Sequence, residues 1–189
     1  MQRLLFVTGN ENKFREVHHL ITNSVKNYEL IRSQEQLTEI QADSLSEVAL
    51  FKVRSVMDKI KEPFFVEDAG FFVDDHLKGF PGVYSAYVMK SVGYDAILKI
   101  LGPKEPRKAH FEAVIAYCDN ARQIHLFKGE NYGTVSFEAR GSSGFGFDPV
   151  FISADTPEKT FAELTIEEKN KISHRRRALM QLIDFLKVH

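Results

Sequence analysis

Five short stretches of this 189-residue chain carry residue types suited to phosphate and metal chemistry. The first is Thr8-Gly9-Asn10 with Lys13. It lies between the apolar run Leu4 to Val7 and a helical pattern of Phe14, Val17, Leu20 and Ile21. A strand-to-helix turn of this kind aims unpaired backbone N–H groups and a partial positive charge at whatever sits before the helix, so it suits an anion. Gly9 lets backbone approach closely, Thr8 and Asn10 add short polar side chains, and Lys13 adds a point charge. The second stretch is Glu67-Asp68-Ala69 after the apolar Phe64 to Val66. Strand alternation sends the two carboxylates to opposite faces, one toward structure and one toward solvent or a metal. Glu39 lies in the polar segment before a long helical pattern. With Asp68 it would make the one- or two-carboxylate set that Mg²⁺ takes when a phosphate chain supplies its other ligands.

The fourth stretch, Gly144-Phe145-Gly146-Phe147-Asp148-Pro149, sets aromatic rings between glycines, and a base could stack on them. The fifth is Glu168-Lys169-Asn170 followed by Ser173-His174-Arg175. It puts a cap and then two cationic side chains at the start of the last helix. Cations are disfavoured there unless an anion or acceptor compensates. Each stretch also has an ordinary reading: a capped turn with a solvated lysine, carboxylates that close a turn, core phenylalanines, a solvated basic face. Neither a Walker A run nor a G-x-G-x-x-G fingerprint occurs.

Bulk properties narrow the partners. Twenty-five basic and 26 acidic side chains leave a net charge of −1, and the only basic run is Arg175-Arg176-Arg177. That favours a small ligand over nucleic acid. The single cysteine, Cys118, makes neither an internal disulfide nor a cysteine-based zinc site and reads as a core thiol. His18, His19, His76, His110, His125 and His189 show no metal-ligand spacing such as H-E-x-x-H. No signal peptide or membrane segment is expected, so the expected compartment is the cytosol.

The positioning elements follow from periodicity. Strands are expected at Arg3 to Val7, Tyr28 to Arg32 and Phe64 to Val66, the last ending at Glu67–Gly70. A long helix should start at the Ser44/Glu47 capping box and run toward Ile60. A short helix around Tyr94 to Leu101 should stop at Gly102-Pro103. His110 to Tyr117 and Gln123 to Phe127 should form a hairpin about Asp119-Asn120, with a separate strand at Tyr132 to Phe137. Asp74-Asp75 reads as a solvated loop. The last helix should start near Ser173. Alternating helices and strands with hairpins in the middle predict an α/β chain with a mixed sheet, 1–189 as one domain.

Taken together the stretches resemble the inosine triphosphate pyrophosphatase (Ham1-like) family. Thr8-Gly9-Asn10 with Lys13, Val66-Glu67-Asp68, Gly146-Phe147-Asp148-Pro149 and Glu168-Lys169-Asn170 with Ser173-His174-Arg175 stand in that family's order. Pro81-Gly82-Val83-Tyr84 adds a fifth block. The resemblance implies a two-lobed α/β fold with a long central mixed sheet flanked by helices, a substrate cleft between lobes, Mg²⁺ dependence and a homodimer. It implies release of pyrophosphate from ITP, dITP or XTP. Thr8, Gly9, Asn10 and Lys13 would hold the triphosphate, and Glu39 and Asp68 the metal. Asp68 would also activate water. Ala69, Phe145, Gly146, Phe147, Asp148, Lys169, Ser173, His174 and Arg175 would line the rest of the nucleotide site. Donors on Lys169, His174 and Arg175 would suit a 6-keto base. Where other members often carry a basic residue after the Pro-Gly-x-Tyr block, this chain reads Ser85-Ala86-Tyr87, which shifts the phosphate grip toward Lys13, Lys169 or Lys52. A magnesium phosphatase of another metabolite, or a non-catalytic nucleotide- or RNA-binding module, are the alternatives.

Overall fold

The structure, a computed structural model, describes residues 2–25 and 27–188, so His189 lies outside it. Its first strand, β1 (Gln2–Val7), buries Leu4, Phe6 and Val7. Helix α1 (Glu11–Ser24) follows at once, then β2 (Tyr28–Ser33), which pairs with β1 in parallel. Helix α2 (Leu45–Val56) starts where its capping box requires. The Ser44 hydroxyl accepts from Glu47 N at 3.2 Å, and the Glu47 carboxylate accepts from Ser44 N at 3.0 Å.

Strand β3 (Phe64–Val73) is longer than the expected three residues. It does not stop at Glu67–Gly70, because β4 (Pro81–Gly82) pairs with its far half, Phe71 opposite Gly82. Gly70 looked like punctuation, yet its missing side chain is what lets the strands meet: a Cβ there would come within 2.6 Å of the Gly82 carbonyl oxygen. Ser85 locks the same corner, accepting from Phe71 N at 2.8 Å and donating to Gly82 O at 2.6 Å.

Two helices follow, α3 (Ser85–Ser91), which periodicity missed, and α4 (Gly93–Leu101), which ends at Gly102 as expected. Strands β5 (Lys108–Cys118) and β6 (Ile124–Val135) are joined by a tight turn, with Asp119 N donating to Gln123 O at 3.0 Å. The separate strand expected at Tyr132 is the continuation of β6. Strand β7 (Phe151–Ser153) pairs antiparallel with β6. Helix α5 (Ile166–Ile172), capped by Thr165 and Glu168, and α6 (His174–Val188) complete the chain.

The mixed sheet runs in the order β2-β1-β3-β5-β6-β7, with β4 on β3. The chain divides into two compact units. One holds residues 1–68, 113–129 and 175–189; the other holds 69–112 and 130–174. In the first, Phe6 stacks on Phe65 at 4.5 Å and 9°. Cys118 is buried there, and burial pushes its thiol above the usual range. In the second, Phe71, Phe111, Phe147, Phe151 and Phe161 form one core with Ile97 and Leu101. Burying each such ring contributes roughly 1.5–3 kcal/mol. Among the described residues no helix is long and apolar enough to cross a membrane.

Candidate active site

In the first unit, the ends of parallel strands carry the polar groups, as open α/β sheets favour. The turn after β1 is held by its own side chains. Thr8 Oγ1 accepts from Asn10 N at 3.1 Å, and Asn10 Oδ1 accepts from the N–H groups of Asn12 and Lys13 at 3.0 and 3.1 Å. Asn10 is therefore an N-cap whose side-chain carbonyl is engaged. A Cβ built on Gly9 would touch nothing within 4 Å, so the space over the turn is open. Arg32, at the end of β2, clamps the turn from outside. It donates to Thr8 O at 3.1 Å and Gly9 O at 2.9 Å and pairs with Glu11. Sequence reading missed this arginine; its one signal was its place at the end of a strand neighbouring β1.

Glu67 and Asp68 diverge as alternation requires. The Glu67 side chain is fully buried and joins three elements. Its carboxylate meets Lys13 Nζ at 2.7 Å and accepts from Arg175 Nε at 3.2 Å and NH2 at 3.0 Å. Arg175 also pairs with Glu16 on α1. Burial alone would push Glu67 up, but Arg175 and Lys13 outweigh it and hold its carboxyl below the usual range. The cation at the start of α6 thus finds its compensating anions in the protein's own carboxylates. Arg175, expected to donate to a base, here donates to Glu67 and pairs with Glu16.

Asp68, on the other face, is partly open and meets Lys52 Nζ at 2.8 Å; Glu39 meets the same ammonium at 2.8 Å. The two expected metal carboxylates, 29 positions apart in the chain, are brought together by one buried lysine. Burial pulls the Lys52 ammonium down, but Asp68 and Glu39 raise it overall; Lys52 in turn lowers Glu39. In this network three cations, Lys13, Lys52 and Arg175, face four carboxylates, Glu16, Glu39, Glu67 and Asp68. The convergence of Glu39 with Asp68 fits a hard divalent cation bound by oxygen.

In the second unit, Asp148 organises the glycine-rich loop. Its Oδ2 accepts from Phe145 N at 2.8 Å and from Lys169 Nζ at 2.6 Å. Lys169 lies over the Phe145 ring at 4.9 Å. Gly144 and Gly146 adopt φ of +74° and +64°, and a Cβ at Gly144 would collide with Asp148 Oδ2. Of the two rings, Phe147 follows the core reading of this stretch: it is 3% exposed and stacks on Phe71 at 4.9 Å. Phe145, half-buried, keeps a place beside Lys169. Ser173 and His174 are buried, and the imidazole lies flat on Phe111 at 4.7 Å. Ala69 opens this unit on β3.

A mixed-sheet α/β protein with an anion-ready turn and a lysine-bridged carboxylate pair at its strand ends is built to handle a metal-bound phosphate compound. The chain belongs to the Ham1 family, which its residues 4–185 match. It is 49% identical to the dITP/XTP pyrophosphatase of Thermococcus kodakarensis over 98% of this chain and 97% of that protein. It is 42% identical to the enzyme of the same name from Pyrococcus horikoshii, over 99% and 98%. An inosine triphosphate pyrophosphatase of Kluyveromyces lactis is 36% identical over 97% and 95%. The solved Ham1 protein of Staphylococcus aureus superposes with a TM-score of 0.84 at 27% identity, covering 98% of both chains.

Proposed function

We propose that this protein hydrolyses non-standard purine nucleoside triphosphates (ITP, dITP and XTP) to the monophosphate and pyrophosphate with Mg²⁺. The observation that carries the reading is the convergence of Glu39 and Asp68 on Lys52, each at 2.8 Å. The names of the relatives support the substrate class.

A nucleoside triphosphate has two chemically distinct ends, a phosphate chain and a base. In the first unit, the N–H groups of the Thr8–Lys13 turn and the Lys13 ammonium bind phosphate oxygens. Glu39 and Asp68 would hold Mg²⁺, which when bound supplies Lewis-acid neutralisation of those oxygens. Asp68 orients a water toward the α-phosphorus and takes its proton as the new P–O bond forms. The α–β bridging bond breaks, and pyrophosphate leaves. Lys52 fixes the Asp68 carboxylate in place. Glu67 fixes Lys13, and Arg175 acts through Glu67 as a positioning residue. Positioning and charge stabilisation supply most of the acceleration in such reactions.

In the second unit Phe145 offers its ring to the base, while Lys169 and His174 donate to a 6-keto oxygen. Adenine presents an amino donor at that position and leaves these donors unmatched, a mismatch worth roughly 10⁴ in selectivity. Incubation with Mg²⁺ and a nucleotide panel tests the reading. Inosine monophosphate with pyrophosphate supports it. Orthophosphate alone would make the protein a phosphatase, and absence of product would make it a binding module.

The same reading includes a cytosolic homodimer. Phe80, Tyr84 and Tyr87 are 42%, 43% and 72% exposed and supply an aromatic face for it. Sedimentation of the wild type at twice the monomer mass, and of Tyr87→Glu as a monomer, is expected; a wild-type monomer excludes the dimer.

A further inference from the structure

Within the second unit, His110, Glu112 and Glu130, none of them assigned above, bring one ligand atom each within 4.8 Å of one another. We propose that these three side chains form a second metal site, selective for a zinc-class divalent ion over Mg²⁺. H-x-E is not helical metal spacing, which is why the sequence reading passed over it. On a strand, though, residues two apart share a face. His110 and Glu112 therefore stand side by side on β5, and β6 brings Glu130 to them.

The surrounding groups hold the ligands as metal sites do. His110 Nδ1 lies 3.0 Å from Asp74 Oδ2, a carboxylate–imidazole pair that fixes the ring and leaves the other nitrogen for an ion. This corrects the reading of Asp74 as a solvated loop residue. The ring lies flat on Phe72 at 4.7 Å and 6°. The Tyr132 hydroxyl donates to Glu130 Oε2 at 2.8 Å, orienting that carboxylate. Glu112 is only 9% exposed. Ligands at about 2.0–2.2 Å from zinc stand roughly 3.5 Å apart, so closure needs only about an ångström of side-chain movement. An imidazole beside two carboxylates favours zinc-class ions over magnesium, which prefers oxygen alone. Three protein ligands leave a fourth position open.

The test is equilibrium dialysis of chelator-stripped protein against Zn²⁺, with Mg²⁺ in large excess to occupy the oxygen-rich site of the first unit. One zinc per wild-type chain is expected, with affinity reduced at least tenfold in His110→Ala and in Glu130→Gln. Glu130→Gln should keep the wild-type rate with Mg²⁺. Where a variant fails to fold, the wild type decides: one equivalent of Zn²⁺ should protect His110 from diethylpyrocarbonate, read by peptide mass spectrometry. Substoichiometric binding, unchanged affinity in folded variants, or an unprotected His110 each overturn the site.

Discussion

At the scale of single residues, Glu67 and Asp68 divide the labour of one strand. The buried Glu67 ties Lys13 and Arg175 to β3, and the partly open Asp68 shares Lys52 with Glu39. Asp68→Asn removes the proposed proton acceptor but keeps the shape. It is expected to lower kcat by at least about 10³-fold with KM changed little. Steady-state pyrophosphate release from ITP measures this, and a variant keeping most of its kcat removes Asp68 from the reaction. Glu67→Gln has a different signature. It leaves Arg175 and Lys13 short of a buried counter-charge and is expected to cost about 3–5 kcal/mol in urea unfolding. A loss below 1 kcal/mol would mean that the network contributes little to the fold.

At the scale of elements, short local devices aim these side chains. The capping box that starts α2 sets the phase in which Lys52 emerges from that helix. Ser44→Ala is expected to destabilise the protein by about 1 kcal/mol, seen as a lower urea midpoint at unchanged slope. The Gly144–Asp148 loop is a second device. Its positive φ and the collision that a Cβ would make with Asp148 Oδ2 leave no room for a side chain. Gly144→Ala should therefore displace Asp148, and with it Lys169 and Phe145. The expected outcome is a KM for ITP at least tenfold higher with kcat nearly unchanged. If instead kcat alone falls, the loop serves the chemical step and not base binding.

At the scale of the whole molecule, the charge network makes stability depend on pH at both ends. The folded carboxyl of Glu67 lies below its ordinary value. Its contribution is fully present above the unfolded value of about 4.3 and is lost as pH falls through the folded one. Lys52 is raised when folded, so its contribution is present below about 10.4 and is lost as pH rises through the higher folded value. The melting temperature should therefore form a plateau between these limits, and Glu67→Gln should flatten its acid side. An acid limb unchanged in that variant would assign the loss to other carboxylates.

The sequence by itself determined what depends on near neighbours. The α2 start at Ser44 and Glu47, the α4 stop at Gly102 and the strand–turn–helix at Thr8–Lys13 all use interactions within a few residues. The order of its motif blocks also placed the chain in its family. Only the tertiary structure decided that β3 continues past Gly70, because the strand that pairs with it is separated from it by a loop. It also decided that Phe147 belongs to the core and Phe145 does not, since both sit in the same glycine-rich run. The clearest case is Arg175. Its place at a helix start signalled that an anion must compensate it, but Glu67 stands 108 positions away. Local chemistry can state that a charge needs a partner. Which partner it meets depends on the packing of distant elements, and no spacing rule encodes that. The Thr8–Lys13 turn was legible for the first reason, and the Glu67 carboxylate that holds Lys13 beside it was not, for the second.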